Sequence, residues 1–406
     1  HNVLCLSEAK GMNIKMKYNF DEPVDRSQNR SAKYDERVKN FGTDDVIPLW
    51  IADMDFRSPK EVIDAVIDRA SLGCYGYTTK PDCFYERIIN WVDRRYHWKI
   101  KKEWIIFTPG VIPGYTITIQ NFTKPGDGIL VQTPVYYPFM DGVVNNGRKL
   151  VYNPLIEKEG DWFMDFEDLE RKVKDPDNKL LILSNPHNPV GRAWTAEELT
   201  SLGNLCAEND VLLISDEIHA DLMMKGITHT SVGTLSEKIK KNTIVHYAPS
   251  KTFNLAGLQT AYAVIPDDEL RETYVKGLNA NRIFNMNWFG SAALEAAYDK
   301  SGNYVDTLCD YVNDNMDHMV QYVQERLPML HMKKSEATYM VWVDFRGTGM
   351  STEEIESFID QKAHIGVDKG SWFGPGGEGY LRFNLACPRK ILDSALYQLE
   401  TALKQI

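Results

Sequence analysis

Between about residues 60 and 290, short apolar runs alternate with longer stretches whose apolar positions recur at helical spacing. The runs Trp104–Thr108, Gly128–Gln132, Leu180–Ser184, Val211–Ser215, Thr243–Tyr247 and Ala261–Ile265 are each five residues long. That length, and their aliphatic and aromatic content, predicts buried strands rather than helices. Val62, Ile63, Val66 and Ile67 fall on one side of a helix predicted over 59–72. A second helix, over 195–209, opens at Thr195 with Glu198 three residues on, the spacing of a capping box. Alternation of this kind predicts an α/β protein with a mostly parallel sheet wrapped by helices. A long helical stretch, about 287–327, leads into a different pattern. There, strands over 338–346 and 379–386 flank a helix over 351–364, which predicts a smaller α+β domain.

Composition narrows the function classes. Length alone, 406 residues, predicts two or three domains. The 46 Lys and Arg against 57 Asp and Glu give a net charge of −11, with no large block of one sign. Binding to nucleic acid needs clustered cations, and the short run Lys238, Lys240 and Lys241 reads as a solvated helix face. No apolar run reaches the roughly eighteen residues a membrane helix needs. The six cysteines are scattered with no Cys-x-x-Cys pair, so neither a zinc site nor a disulfide framework is expected, and a cytoplasmic setting is. Residues 1–16 read as an extension outside the fold, with Met12 or Met16 as a candidate start.

Three segments at strand ends carry candidate chemistry. After Thr243–Tyr247 comes Ala248-Pro249-Ser250-Lys251-Thr252-Phe253-Asn254. A lysine held at a cleft with its amine desolvated has a lowered pKa and can act as a nucleophile, although most lysines are solvated. After Val211–Ser215 comes Asp216-Glu217-Ile218-His219. The carboxyl edge of a parallel sheet is where ligands bind, and an acid there can pair with a protonated ring nitrogen. Asp216 as a helix N-cap and Glu217 as first-turn charge are equally open from the residues alone. After Leu180–Leu183 comes Ser184-Asn185-Pro186-His187-Asn188-Pro189-Val190-Gly191-Arg192, whose Asn-Pro pairs are also ordinary turn chemistry.

Taken in order, these segments resemble the fold-type I pyridoxal-phosphate enzymes of the class I/II aminotransferase superfamily. Pro48-Leu49-Trp50-Ile51-Ala52-Asp53-Met54-Asp55-Phe56, Gly76-Tyr77-Thr78, Thr133–Phe139 and Leu381-Arg382-Phe383-Asn384 match as well. Asp-Met-Asp-Phe with Asp-Glu-Ile-His is similar to the subgroup of cystathionine β-lyases and cystalysin-like carbon–sulfur lyases. The resemblance runs from about Tyr18 to the C-terminus. It implies an aspartate-aminotransferase-like fold: residues 17–58 join the small domain, 59–290 form the large cofactor-binding domain, and 291–406 supply a connecting helix and the rest of the small domain.

The resemblance also implies roles. Lys251 would anchor pyridoxal 5'-phosphate and act as the catalytic base, and Asp216 would face its ring nitrogen. Asn188 would reach its phenolic oxygen, Tyr136 would stack on the ring, and His219 would lie beside it. Gly110, Val111, Ile112 and Ser250 would donate to the phosphate, as would Tyr77 from a neighbouring subunit, which implies a homodimer. Arg382, with Asn188 and Ala52, would bind the substrate. A glycine turn leading into a helix N-terminus suits an anion, although Gly and Pro content alone explains a turn equally well. Ala248, His219 and Gln259 depart from the usual aminotransferase residues and agree with the lyase subgroup. The implied reaction is α,β-elimination of cystathionine, cysteine or a related S-substituted amino acid. An aminotransferase, or a lyase-fold protein with an added regulatory binding role, are the alternatives.

Overall fold

The structure is a computed structural model and describes residues 18–26, 29–283 and 285–405. Its centre is a seven-stranded sheet. The strand order is Ile105–Thr108, Ala261–Val264, Thr243–Tyr247, Leu212–Asp216, Asn178–Ser184, Gly128–Val131 and Lys149–Tyr152. Ala261–Val264 runs antiparallel to both neighbours. The strands from Thr243–Tyr247 outward pair in parallel. Both faces are buried. Ile182, Ile214 and Ile244 pack on one side with Val111, Tyr115 and Ile119 of the helix Val111–Phe122. Leu181, Leu183 and Leu213 pack on the other side with Leu199 and Leu202 of the helix Ala196–Glu208. Burial on both faces explains the unbroken apolar runs, and each such side chain contributes roughly 1.5–3 kcal/mol.

A four-stranded antiparallel sheet forms the second layer, in the order His331–Met332, Met340–Asp344, Tyr380–Asn384 and Asp368–Lys369. The N-terminal segment lies against it: Ile47–Pro48 pairs in parallel with Ile365–Gly366 in a separate two-stranded sheet, the Asn384 amide donates to Leu49 O at 2.9 Å, and the Asp55 amide donates to Ala386 O at 2.9 Å. The mixed α/β architecture is the one the pattern predicts.

Several details differ. The stretch over 287–327 is two helices, Trp288–Lys300 and Gly302–Arg326, broken where Ser301 leaves helical geometry beside Gly302. Serine and glycine both favour such a break. Trp104 ends a short 3₁₀ turn, so its strand begins at Ile105. The edge strand Lys149–Tyr152 was not predicted; half-exposed on the sheet's rim, it lacks a long apolar run. The capping box at Thr195 and Glu198 is present, and a second, at Ser351 and Glu354, starts the helix Thr352–Gln361. No helix among the described residues is long and apolar enough to cross a membrane.

Candidate active site

Parallel strands in register end together, and that brings the chemistry to one edge. Ser184 lies opposite Asp216, and Asp216 opposite His246, so the loops that follow open into one cavity of about 390 Å³. Ala52, Gly110, Val111, Ile112, Tyr136, Asn188, Asp216, His219, Ser250 and Lys251 all line it, as does Gln259. Arg382 adjoins this group through Asn188, whose Oδ1 accepts from Nη1 at 2.8 Å. Tyr77 does not belong to the cavity; it is 90% exposed.

Lys251 is half-buried, and its Nζ donates to Ala52 O at 2.8 Å. Burial, and then the Arg382 cation, pull its pKa down from 10.5 to about 8, against the opposing pull of Asp53, Asp216 and Asp368. At pH 8 about half of it is free amine, against roughly one part in three hundred for an unperturbed lysine. The loop carrying it is tied down. Asn254 accepts from the Met54 amide at 3.0 Å and donates to Met54 O and Phe56 O, and Thr252 Oγ1 donates to Asp221 at 2.9 Å.

Asp216 is not a helix N-cap, because turns rather than a helix follow it. Its Oδ1 accepts from the Ile218 amide at 3.1 Å, and burial pushes its carboxyl up to about 7. Glu217 is not first-turn charge either. It faces the opposite way, accepting from Ser215 Oγ at 2.9 Å, Tyr247 OH at 2.7 Å and the Val232 amide at 3.0 Å, with His229 Nε2 at 2.9 Å. Burial alone would raise its pKa, but His229, Tyr247 and Val232 hold it below the usual value. His219 is buried with Nδ1 lacking a partner, and burial, then Lys251 and Arg382, keep it neutral.

At the other end of the cavity the helix Val111–Phe122 begins. Gly110 is its N-cap, and no side chain caps it. The first helical amides have no intrahelical acceptor, and Val111 and Ile112 present theirs beside Ser250 at a positive helix end. Tyr136 is fixed by its amide to Asn188 O at 3.1 Å and by an edge contact with Phe139 at 5.8 Å.

Sequence reasoning missed three residues here. Asp368 pairs with Arg382, and both side chains are 2% exposed. Tyr339 OH donates to Ala52 O at 3.0 Å, the carbonyl that also receives Lys251. Asn254 follows Lys251 by three positions and bonds to the backbone of Met54 and Phe56. Nothing local marks any of the three, since the apolar Ile365 and Val367 alternate out of phase with Asp368. The Asp-Met-Asp-Phe signature itself forms an ion-pair network: Asp53 meets Arg26 at 2.9 Å, and Asp55 meets Arg26 at 3.0 Å and the buried Lys33 at 2.8 Å.

A large sheet of this order, a small antiparallel sheet and a half-buried lysine between them define an aspartate-aminotransferase-like enzyme of fold type I. The family model "Aminotransferase class I and II" matches residues 44–399, and the chain belongs to that family. Cystathionine beta-lyase PatB of Bacillus subtilis is 41% identical over 385 residues, covering 95% of this chain and all of that protein. Cystalysin from Treponema denticola, whose structure contains a pyridoxal 5'-phosphate cofactor, is 35% identical, with a TM-score of 0.93 over 96% of this chain and all of that one. A pyridoxal-phosphate-bound protein of Clostridium difficile 630, provisionally assigned as an aminotransferase, is 45% identical. Its TM-score is 0.93, over 95% of this chain and all of that one.

Proposed function

We propose that the protein is a pyridoxal-phosphate-dependent carbon–sulfur β-lyase that cleaves cystathionine, cysteine or a related S-substituted amino acid to a thiol, pyruvate and ammonia. The observation that carries this reading is a half-buried lysine of lowered pKa sharing one strand-end cavity with a buried acid that has no cation bonded to it. The residues fit the cofactor. Asp216, raised to about 7 with one backbone donor, is an acid lacking a cation, and the ring nitrogen supplies one. Gly110, Val111, Ile112 and Ser250 would provide donors for a phosphate and Asn188 one for the phenolic oxygen, and Tyr136 and His219, which line the same cavity, would lie beside the ring. When bound, the cofactor supplies an aldehyde for the substrate amine and a protonated ring that draws electrons from Cα.

The chain's own groups do the rest. Arg382 grips the α-carboxylate with Asn188 and the Ala52 backbone beside it, which turns the Cα proton toward Lys251. Lys251, with its pKa near 8, accepts that proton at Nζ as general base. Asp216 would pair with the ring nitrogen and so keep its proton in place. Departure of the thiolate from Cβ leaves an enamine that water converts to pyruvate and ammonia. The exposure of Tyr77 supports a homodimer in which it reaches the neighbouring cavity. The five described cysteines are free thiols, which supports a cytoplasmic setting.

The test is pyruvate release from L-cystathionine by the cofactor-loaded protein with no keto acid added. Sustained turnover that is lost in Lys251→Ala is expected. The family's transaminases support a second reading, which predicts instead a single conversion per site and a requirement for a keto acid. That result would replace the lyase assignment.

A further inference from the structure

Asp368 and Arg382 are cross-strand neighbours, opposite one another where Asp368–Lys369 pairs with Tyr380–Asn384. Their side chains form an ion pair through Arg382 Nη2. Asn188 Oδ1 accepts from Nη1 at 2.8 Å, and the Phe373 ring lies under the guanidinium at 5.0 Å. Two buried atoms of this group have no partner, Arg382 Nε and Asp368 Oδ1. Both belong to the same pair. Setting the Nε–Nη2 edge against both carboxylate oxygens would satisfy the two at once, the bidentate arrangement a planar fork favours. The Nη1–Nη2 end, beside Asn188, is then the part of the fork left for an incoming anion.

We propose that Asp368 is a positioning residue for substrate recognition: it holds Arg382 by its Nε–Nη2 edge, so that the fork presents its Asn188 side to the α-carboxylate. The inference rests on the reading of Arg382 as the carboxylate-binding residue. Phe373 fixes the plane of the guanidinium, and Asp368 fixes its rotation within that plane. A purely structural Asp368 would matter for folding but would affect ligands with and without a carboxylate alike. An Asp368 that merely competed with the substrate would weaken binding when present and strengthen it when neutralised.

The experiment is calorimetric titration of the holoenzyme with L-alanine and with ethylamine, the same amine without its carboxylate. Asp368→Asn keeps the shape and removes the charge. We expect it to lower the preference for L-alanine over ethylamine about tenfold, a typical loss for a hydrogen bond to a charged group, with ethylamine binding unchanged. An unchanged or increased preference overturns the proposal. Should that variant not fold, Asp368→Glu, which displaces the charge by one methylene, must also lower the preference, and a wild-type value there overturns it. Arg382→Gln separates the two layers of the argument. If it too keeps the wild-type preference, the reading of Arg382 has failed; if it alone loses the preference, only the role of Asp368 has.

Discussion

Asp216→Asn is predicted to stabilise the cofactor-free protein while removing the partner of the cofactor's ring nitrogen. The carboxyl is buried, accepts one backbone hydrogen bond, and has its pKa raised from 3.8 to about 7. A group whose folded pKa lies above its unfolded value favours the protonated form in the fold. Its ionisation therefore costs stability, nothing well below the unfolded pKa of 3.8 and the full amount above pH 7. The interval between 3.8 and about 7, at roughly 1.4 kcal/mol per pH unit, sets a ceiling of about 4 kcal/mol. Asparagine retains the oxygen that accepts from the Ile218 amide and removes the charge. Urea unfolding of the cofactor-free wild type and variant at pH 4.5 and pH 8.5 measures the effect. A gain of about 2–4 kcal/mol at pH 8.5 that shrinks to about 1 kcal/mol or less at pH 4.5 is expected. A gain independent of pH, or a loss at pH 8.5, would refute the argument that a buried, unpaired carboxylate is held here for chemistry at the expense of stability.

Asn254→Gly keeps the left-handed backbone that Asn254 adopts, φ 59°, and deletes the amide that bonds to Met54 and Phe56. Hydrogen exchange should show the Met54 amide losing protection, with a stability loss of about 2 kcal/mol. Gly114→Ala would place a Cβ 2.8 Å from the His246 ring and 3.1 Å from Tyr274 OH, both fully buried. A loss of about 1–3 kcal/mol in urea unfolding follows, since neither ring has room to move. Lys33→Met strips a buried cation from Asp55 and should cost about 3 kcal/mol, measured the same way.

The large sheet was legible because burial on both faces leaves an unbroken apolar run, as in Leu180–Ser184 and Thr243–Tyr247. Lys149–Tyr152 escaped notice because its apolar run, Leu150-Val151-Tyr152, is too short to stand out from a loop. The cavity residues were legible as a set only because each follows a strand, and parallel strands in register end on one line. Ala52 and Arg382 come from segments outside that sheet, and only resemblance drew them in. Asp368, Tyr339 and Asn254 were not legible, because each acts through a partner 14 to 287 positions away, Arg382 for the first, Ala52 for the second and Met54 for the third. Glu217 was misjudged because its partners His229, Val232 and Tyr247 arrive from a later loop and strand.

The carbonyl of Ala52 takes a hydrogen bond from Lys251 on the large sheet and another from Tyr339 beside the small one. Its neighbours are gripped from both sides as well: Asn384 donates to Ile51 O and Asp53 O, and Asn254 to Met54 O. This short segment is thus a mechanical joint with the reactive amine clipped to it. A displacement of the small sheet against the large one therefore bears directly on the acceptor of the reactive amine, so one short stretch of backbone sets both the seat of the small sheet and the placement of the lysine.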